Sequence, residues 1–241
     1  MSDYFIRLQD QFSQAFIGEH NNRYLLYLSG LKIAYTVMIG ALILGVTIGV
    51  ILAVIRTSAD QQKKGKRKKW LSFLNGIAKI YVTVIRGTPM MVQLLIMNFV
   101  VFGNSRQLIM IAILALGINS GAYVSEIIRS GIQSIHPGQM EAGRSLGMKY
   151  GTVMRKIIIP QAIKNILPAL GNEMIILFKD TALVSVIGLA DLTKVAIQIQ
   201  AKTYQPFMPF VGIAIIYLIN VLIMTWILGK FERRLAASDR S

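Results

Sequence analysis

Hydrophobic residues form long blocks along this chain, and polar residues are concentrated between the blocks. Most blocks approach the roughly 20 residues that a helix needs to cross the hydrocarbon core of a bilayer. A soluble domain would show shorter runs in which apolar and polar positions alternate at helix or strand spacing. The pattern predicts an all-α membrane protein with five transmembrane helices, at 31–55, 90–102 with an upstream extension, 108–124, 157–178 and 207–228.

Composition supports a membrane protein and removes several kinds of chemistry. The 241 residues are 54% hydrophobic and carry a formal net charge of +15. The basic residues lie mainly between the blocks, which indicates a membrane surface with anionic lipid as the partner, and not nucleic acid. No cysteine is present, and the two histidines, His20 and His136, are far apart. We therefore predict no metal site and no thiolate chemistry.

The distribution of Lys and Arg between the blocks predicts the orientation. Seven lie in 56–69, five in 127–156 and four after residue 228, whereas the other connecting segments carry two, one and three. Basic residues favour the cytoplasmic side of a membrane. With five spans, this bias places the N-terminus outside and the C-terminus inside.

The second block is too long for one straight span. Residues 71–102 would form a helix of roughly 48 Å, well beyond the hydrocarbon thickness. Arg86, Gly87, Thr88 and Pro89 interrupt it, so we expect 71–85 to lie partly in the cytoplasmic interface and the crossing to begin near Pro89. Arg86 either reaches the interface from a simple elbow or lines a path.

The fourth block is unusually polar for lipid. We expect its polar side to face a water-filled path or a protein interface, with the backbone broken around Pro168 and Gly171 so that carbonyls are free for a solute or for water. Glu173 is either a functional carboxylate or a partner in helix packing. The third block carries small and hydroxyl-bearing residues at 119–123 that suit close helix packing. Residues 182–190 are apolar but too short to cross. The polar and helix-breaking residues of the fourth block are Pro160, Gln161, Lys164, Asn165, Pro168, Gly171, Asn172 and Glu173.

The segment between the third and fourth blocks predicts a short loop helix. Pro137 suits a first helical position with His136 as its cap, and Gly147 suits a left-handed end. We expect Thr152 to cap the helix that follows. A helix of about ten residues is marginal alone in water, so a cytosolic partner should cover it.

These residues resemble the signature of the integral subunits of bacterial ATP-binding-cassette importers. That signature has Glu-Ala-Ala, three residues, Gly, nine residues, Ile, one residue and Leu-Pro. The chain has Glu141-Ala142-Gly143, then Gly147, then Ile157, then Ile159-Pro160, at the same spacings. Gly143 and Ile159 are the two departures. Segments 86–94 and 179–185 resemble the sub-family that imports polar amino acids.

The resemblance implies a type I importer permease in a bacterial cytoplasmic membrane. Two permeases, identical or paralogous, would form the path, two cytosolic ATPases would dock on the loop helices, and an external binding protein would deliver the solute. The chain lacks a phosphate-binding Gly-x-x-x-x-Gly-Lys-Ser/Thr motif. It is therefore expected to hold no cofactor and to be no enzyme, with ATP–Mg bound by the ATPase. Glutamine, glutamate, arginine, histidine and cystine all remain possible solutes.

The expected organisation is an interfacial segment at 1–30, a permease domain at 31–230 with its coupling loop at 127–156, and a cytoplasmic tail at 231–241. The candidate residues fall into three groups. Substrate-binding candidates are Glu173, Asn172, Asn119 and Thr88; ATPase-coupling candidates are Glu141, Ala142, Gly143, Arg144 and Gly147; path or gate candidates are Arg86, Asp180 and Thr181.

Two rival functions share part of this pattern. A passive channel or pore-forming oligomer would have the same spans and polar side, but it would not need the loop helix. An intramembrane enzyme could use Glu126, Glu173 or Asp180, but neither a His-rich cluster nor a Ser/Lys pair accompanies them.

Overall fold

The computed structural model describes residues 2–18, 22–60, 68–103 and 105–237, and within these ranges the regular structure is entirely helical. Three π-helical turns, at 13–17, 96–101 and 154–158, and a 3-10 segment at 181–187 join the α-helices. The α-helices are α1 (Ser2–Phe12), α2 (Arg23–Asp60), α3 (Lys69–Gly87), α4 (Met90–Leu95), α5 (Leu108–Gln133), α6 (Pro137–Ser145), α7 (Tyr150–Val153), α8 (Ile159–Asp180), α9 (Leu192–Thr203) and α10 (Phe207–Ala237).

Three of the described helices are long and apolar enough to cross a membrane: α2, α5 and the Phe207–Leu235 part of α10. A fourth span follows if α3, α4 and the π-helical turn after α4 form one broken crossing. Helix α8 is not among them, since its 22 residues include Lys164, Asn172 and Glu173. The predicted all-helical membrane class is therefore confirmed, whereas the count of five spans stays a prediction.

The interruption predicted in the second block is confirmed. Helix α3 ends at Gly87, α4 begins at Met90, and the two are bent by 106°. Thr88 between them has extended backbone angles, with φ −116° and ψ 146°. Proline disfavours helical angles in the residue before it, so Pro89 accounts for this conformation.

The break predicted around Pro168 and Gly171 is wrong. Helix α8 runs without interruption from Ile159 to Asp180, with Pro168 inside it. A proline removes one backbone hydrogen bond from a helix, but the remaining ladder can continue on both sides. Pro168 therefore changes the local hydrogen bonding without ending the helix.

Other boundaries differ from the expected ones. Helix α2 begins at Arg23, upstream of the predicted span start at 31, and α10 continues to Ala237, well past the predicted span end at 228. Thr152 is not a cap, because α7 begins at Tyr150 and Lys149 occupies the capping position. The segment 61–67, which holds four of the seven basic residues counted in 56–69, lies outside the described residues.

The chain divides into two compact units, each assembled from three stretches of sequence. Unit 1 comprises Met1–Ala41, Met91–Leu116 and Ile175–Trp226, and unit 2 comprises Leu42–Met90, Gly117–Met174 and Ile227–Ser241. The boundaries fall inside α2, α5, α8 and α10 and beside the break between α3 and α4.

Close contact between α2 and α5 organises unit 2. A Cβ at Gly45 would lie 2.9 Å from the side chain of Ser120, and one at Gly49 would lie 2.5 Å from Cγ1 of Val124. Small residues let helices approach closely, which is how helices associate in lipid. Of the segment 119–123, Ser120 lies at this contact, as the packing interpretation predicts.

In unit 1, α9 is held by an apolar cluster and a buried cap. The cluster joins Tyr27 of α2 and Ile213 of α10 to residues of α9. The Asp191 carboxylate accepts hydrogen bonds from the backbone amides of Thr193 and Lys194 at 3.0 Å. Burial raises the pKa of this carboxyl, and these hydrogen bonds oppose the rise.

Candidate functional site

The loop between α5 and α8 contains the short helix that the sequence predicts. Helix α6 begins at Pro137, and Nδ1 of His136 accepts a hydrogen bond from the Gly138 backbone amide at 3.1 Å. At the other end, Gly147 has a φ of +79°, a left-handed angle that glycine adopts without strain. The predicted helix and both of its end signals are confirmed.

One side of α6 is packed tightly and the rest is exposed. Gly143 is buried, and a Cβ at this position would lie 2.8 Å from Cγ2 of the fully buried Val153. Helix α6 can therefore lie this close to α7 because residue 143 has no side chain. The exposed side presents Glu141, Ala142, Arg144 and Leu146.

Leu146 was not among the candidates predicted from the sequence. Its side chain is 81% exposed, directly before the left-handed Gly147. Arg144 donates a hydrogen bond to the Met148 carbonyl at 3.0 Å and so braces the same turn. The sequence does carry a signal for Leu146, since it is an apolar residue directly before the glycine that ends a loop helix.

A cavity of about 330 Å³ lies between α6 and the end of α2. Neighbouring parts of α5 and of the π-helical turn after α7 complete its walls. The principal lining residues are Thr57 and Asp60 of α2, Ile132 and Gln133 of α5, Met140 and Glu141 of α6, and Met154 and Ile158.

Glu173 is buried in unit 2 and contacts α5. Glu173 is 6% exposed, and its Oε1 accepts a hydrogen bond from the Ser120 hydroxyl at 2.7 Å. Asn119, beside Ser120, is also buried, whereas Asn172 is exposed because successive helical residues point about 100° apart. The structure therefore brings Glu173 to the segment that carries Asn119 and directs Asn172 elsewhere.

Arg86 and Thr88 lie at the break between α3 and α4. The Arg86 guanidinium lies over the Tyr123 ring of α5, with its carbon 5.2 Å from the ring centroid. Such cation–π contacts place a positive charge against an aromatic face. Thr88 is exposed and donates a hydrogen bond to the Val84 carbonyl at 2.9 Å.

The other two gate candidates lie in unit 1, at the junction of α8 and the 3-10 segment. Thr181 is fully buried and donates a hydrogen bond to the Phe178 carbonyl at 2.7 Å. Asp180 ends α8 and is partly exposed.

The structure also reveals a charged cluster that the sequence did not predict. Arg56 of α2 is 8% exposed and donates to Oε1 of Glu126 at 2.5 Å. Oε2 of Glu126 accepts from Arg129 at 3.1 Å. Arg56 and Glu126 are 70 positions apart, so spacing along the chain carried no signal for this contact. Over the described ranges, no group of three or more His, Asp or Glu side chains could hold a metal ion.

Comparison with known families identifies the chain. Residues 45–237 match the family described as binding-protein-dependent transport system inner membrane component, and this match covers well over half of the chain. The chain belongs to that family.

Relatives within the family cover nearly the same length. The arginine transport system permease protein ArtQ of Bacillus subtilis is 40% identical, and the match covers 88% of this chain and 93% of ArtQ. The glutamine transport system permease protein GlnP of Escherichia coli K12 is 35% identical, with 87% of this chain and 93% of GlnP covered.

Solved structures of related proteins share the fold. A crystal structure described as an amino acid ABC transporter with histidines is 45% identical and has a TM-score of 0.78, covering 88% of this chain and 94% of that one. An inward-facing structure of the methionine transporter MetNI has a TM-score of 0.72 at 18% identity, covering 88% of this chain and 97% of that one, which shows the fold alone.

The family match contains every candidate residue, from Arg86 to Thr181, and the whole of α6. As an inner membrane component of an ABC transport system, the chain is a membrane subunit and not the ATPase. The family assignment predicted from Glu141, Gly147 and Pro160 is confirmed.

Proposed function

We propose that this chain is the permease subunit of an ATP-driven importer of polar amino acids in a bacterial cytoplasmic membrane. Full-length similarity to relatives named for arginine and glutamine transport carries the proposal. The 45% identity to a solved amino acid ABC transporter supports the same solute class. The passive-channel alternative is not favoured, because the family is defined by dependence on a binding protein.

The proposed assembly has two permeases, identical or paralogous, two cytosolic ATPases that bind ATP–Mg, and an external solute-binding protein. We assign ATPase docking to the exposed side of α6. Helix α6 is only nine residues long, and Glu141, Ala142, Arg144 and Leu146 present a mixed charged and apolar surface that a partner can cover. Gly143 allows α6 to pack closely against Val153, and Gly147 ends the helix with a left-handed turn.

We propose five crossings, by α2, the α3–α4 pair, α5, α8 and α10, with the N-terminus outside. Of the 26 Lys and Arg residues, 19 belong to the sequence stretches of unit 2 and seven to those of unit 1. Unit 2 also contains α6 and the C-terminal residues, so the basic bias supports a cytoplasmic location for these segments. In this arrangement 31–230 forms the membrane domain, with flanks at 1–30 and 231–241.

For the solute, we propose that the Glu173 carboxylate receives a cationic group, with Asn119 nearby and Asn172 and Thr88 as outer contacts. A buried carboxylate at membrane depth is costly, which favours a functional reason for keeping it. Its position against Ser120 supplies a hydroxyl as a further polar group. Arg86, Asp180 and Thr181 are proposed as path or gate residues.

Reconstitution tests the proposed function. The permease is purified together with its ATPase and its binding protein and placed in vesicles, and uptake of labelled arginine and glutamine is measured. We expect uptake only with ATP and binding protein, and loss of ATPase assembly in Glu141→Lys and Leu146→Asp. Uptake by the permease alone, without ATPase or ATP, would instead establish the passive channel.

Glu173→Gln tests the solute site within that assay. The substitution keeps a hydrogen-bond acceptor for Ser120 but removes the charge. We expect substrate-stimulated uptake to fall about tenfold or more, the loss expected for one charge-assisted hydrogen bond. Ser120→Ala removes the hydroxyl and keeps the carboxylate, so it shows separately what the hydroxyl contributes to uptake. Normal uptake by Glu173→Gln would show that Glu173 is not the solute site.

A further inference from the structure

Helices α2 and α5 are joined in unit 2 by a nearly buried ion pair. Arg56 contacts Glu126 at 2.5 Å, with 10% and 21% of the two side chains exposed. Arg129 contacts the other carboxylate oxygen at 3.1 Å. The carboxylate is therefore held from two sides, by arginines on two helices.

Such a pair contributes little to stability compared with an apolar contact of the same volume. Removing two charges from water costs free energy that their attraction only partly returns, and apolar replacements are often neutral or stabilising. What a charged pair adds is direction, since a guanidinium and a carboxylate bond in a restricted geometry. This favours a role in holding two helices in one register.

The pair lies close to the loop helix along the chain. Glu126 is seven residues before the end of α5, or about 10 Å of helix, and only Ser134–His136 separates α5 from α6. The same end of α5 is also attached to α8. Asn165 donates a hydrogen bond to the Ser134 hydroxyl at 2.8 Å, and Gly131 leaves room for the Ile166 side chain.

The end of α2 faces α6 across open space. The cavity of about 330 Å³ between Thr57, Asp60, Met140 and Glu141 leaves these two elements without close packing there. Asp60 and Glu141 on its walls are exposed, so this space is a pocket open to solvent, and no packed side chains there oppose a displacement of α6 relative to α2. A displacement of α6 would pull on the end of α5, where Arg56 and Glu126 oppose separation from α2.

We propose that Arg56 and Glu126, supported by Arg129, form a positioning pair that keeps the end of α5 in register with α2 while α6 moves. A displacement of α6 then moves the membrane helices together, because the end of α5 does not bend away from α2. This inference rests on the proposed ATP-driven function. It assigns to these residues a role in coupling ATP hydrolysis to transport, beyond docking by α6.

The test measures solute transported per ATP hydrolysed by reconstituted complexes. We expect Arg56→Gln and Glu126→Gln to keep ATPase activity and assembly but to lower this ratio about fivefold or more, which is the lower range of allosteric coupling factors. Arg56→Lys, which keeps the charge, should fall in between. Arg233→Gln is the matched control, because it removes one exposed positive charge from α10 outside the cluster. A wild-type ratio in both glutamine variants would overturn the proposal.

Cross-linking separates register from simple stability. Because the chain has no cysteine, Arg56→Cys combined with Glu126→Cys introduces two unique thiols. We expect a low ratio before treatment with a short bis-maleimide and recovery after it. Blocked uptake after cross-linking, with normal uptake before, would show that α2 and α5 must separate and would overturn the proposal. If the wild-type complex itself shows no ATP-dependent uptake, the proposed function has failed, independently of this pair.

Discussion

Gly143 shows how the absence of a side chain can determine a docking surface. The family signature has alanine at this position, and Gly143 is one of the two departures from it in this chain. In the structure, a Cβ here would lie 2.8 Å from Cγ2 of Val153, which is fully buried. Val153 is β-branched and has few alternative rotamers in a helix. Gly143 and Val153 are therefore complementary in this chain.

We predict that Gly143→Ala destabilises the complex despite the better helix propensity of alanine. The gain from propensity is about 1 kcal/mol, and overpacking a tight contact costs about 1–3 kcal/mol. Thermal unfolding of the purified complex should show that the free energy of unfolding falls by about 1 kcal/mol, because the overpacking cost exceeds the propensity gain.

Val153→Ala completes a double-mutant cycle with Gly143→Ala. Alone it leaves a cavity and destabilises, but with Gly143→Ala the added methyl partly fills the space. The double variant should therefore be more stable than the sum of the single changes predicts. Simple additivity would show that residues 143 and 153 are not in contact.

At the scale of helices, sequence rules succeeded where a local signal was sufficient. His136, Pro137 and Gly147 predicted α6 because caps and left-handed ends depend on neighbouring residues. Pro89 with Gly87 predicted the break before α4 for the same reason. Pro168 carried a similar signal and was misread, because surrounding interactions decide whether a helix continues past a proline.

Contacts between distant helices were beyond local rules. The approach of α2 to α5 depends on Gly45 and Gly49 meeting Ser120 and Val124. The small and hydroxyl-bearing residues at 119–123 indicate packing but not the partner helix. Glu126 was noticed only as a carboxylate, and its contact with Arg56 required the fold. Glu173 was predicted as a buried carboxylate, but its partner Ser120 was not.

The contact of α2 with α5 predicts unequal effects of two glycine substitutions. Gly49→Ala should lower the unfolding temperature, because its Cβ would meet Val124 at 2.5 Å and overpacking costs about 1–3 kcal/mol. Gly229→Ala in α10 meets no atom within 4 Å and should be neutral or stabilising by up to about 1 kcal/mol. Thermal unfolding of both variants in the same detergent measures the difference. Equal effects would contradict the close approach of α2 and α5.

For the whole chain, the proposed orientation rests on the distribution of the basic residues. The stretches of unit 2 contain 19 of the 26 Lys and Arg residues, together with α6 and the C-terminal residues. The loop helix can meet a cytosolic ATPase only if α6 lies on the cytoplasmic side of the membrane. The docking proposal and the proposed orientation therefore succeed or fail together.

We predict that single cysteines will report this orientation directly, because the natural chain has none. Ser105→Cys and Gln205→Cys, in the segments before α5 and after α9, should react in intact cells with a maleimide that does not cross the membrane. Ser145→Cys at the end of α6 and Ser238→Cys should react only after the membrane is opened. Loops rich in Lys and Arg stay on the cytoplasmic side during insertion. We therefore expect the first two cysteines to face outside and the last two to face the cytosol. Labelling of Ser145→Cys from outside would place α6 away from any cytosolic ATPase, and would reject both the orientation and the coupling mechanism.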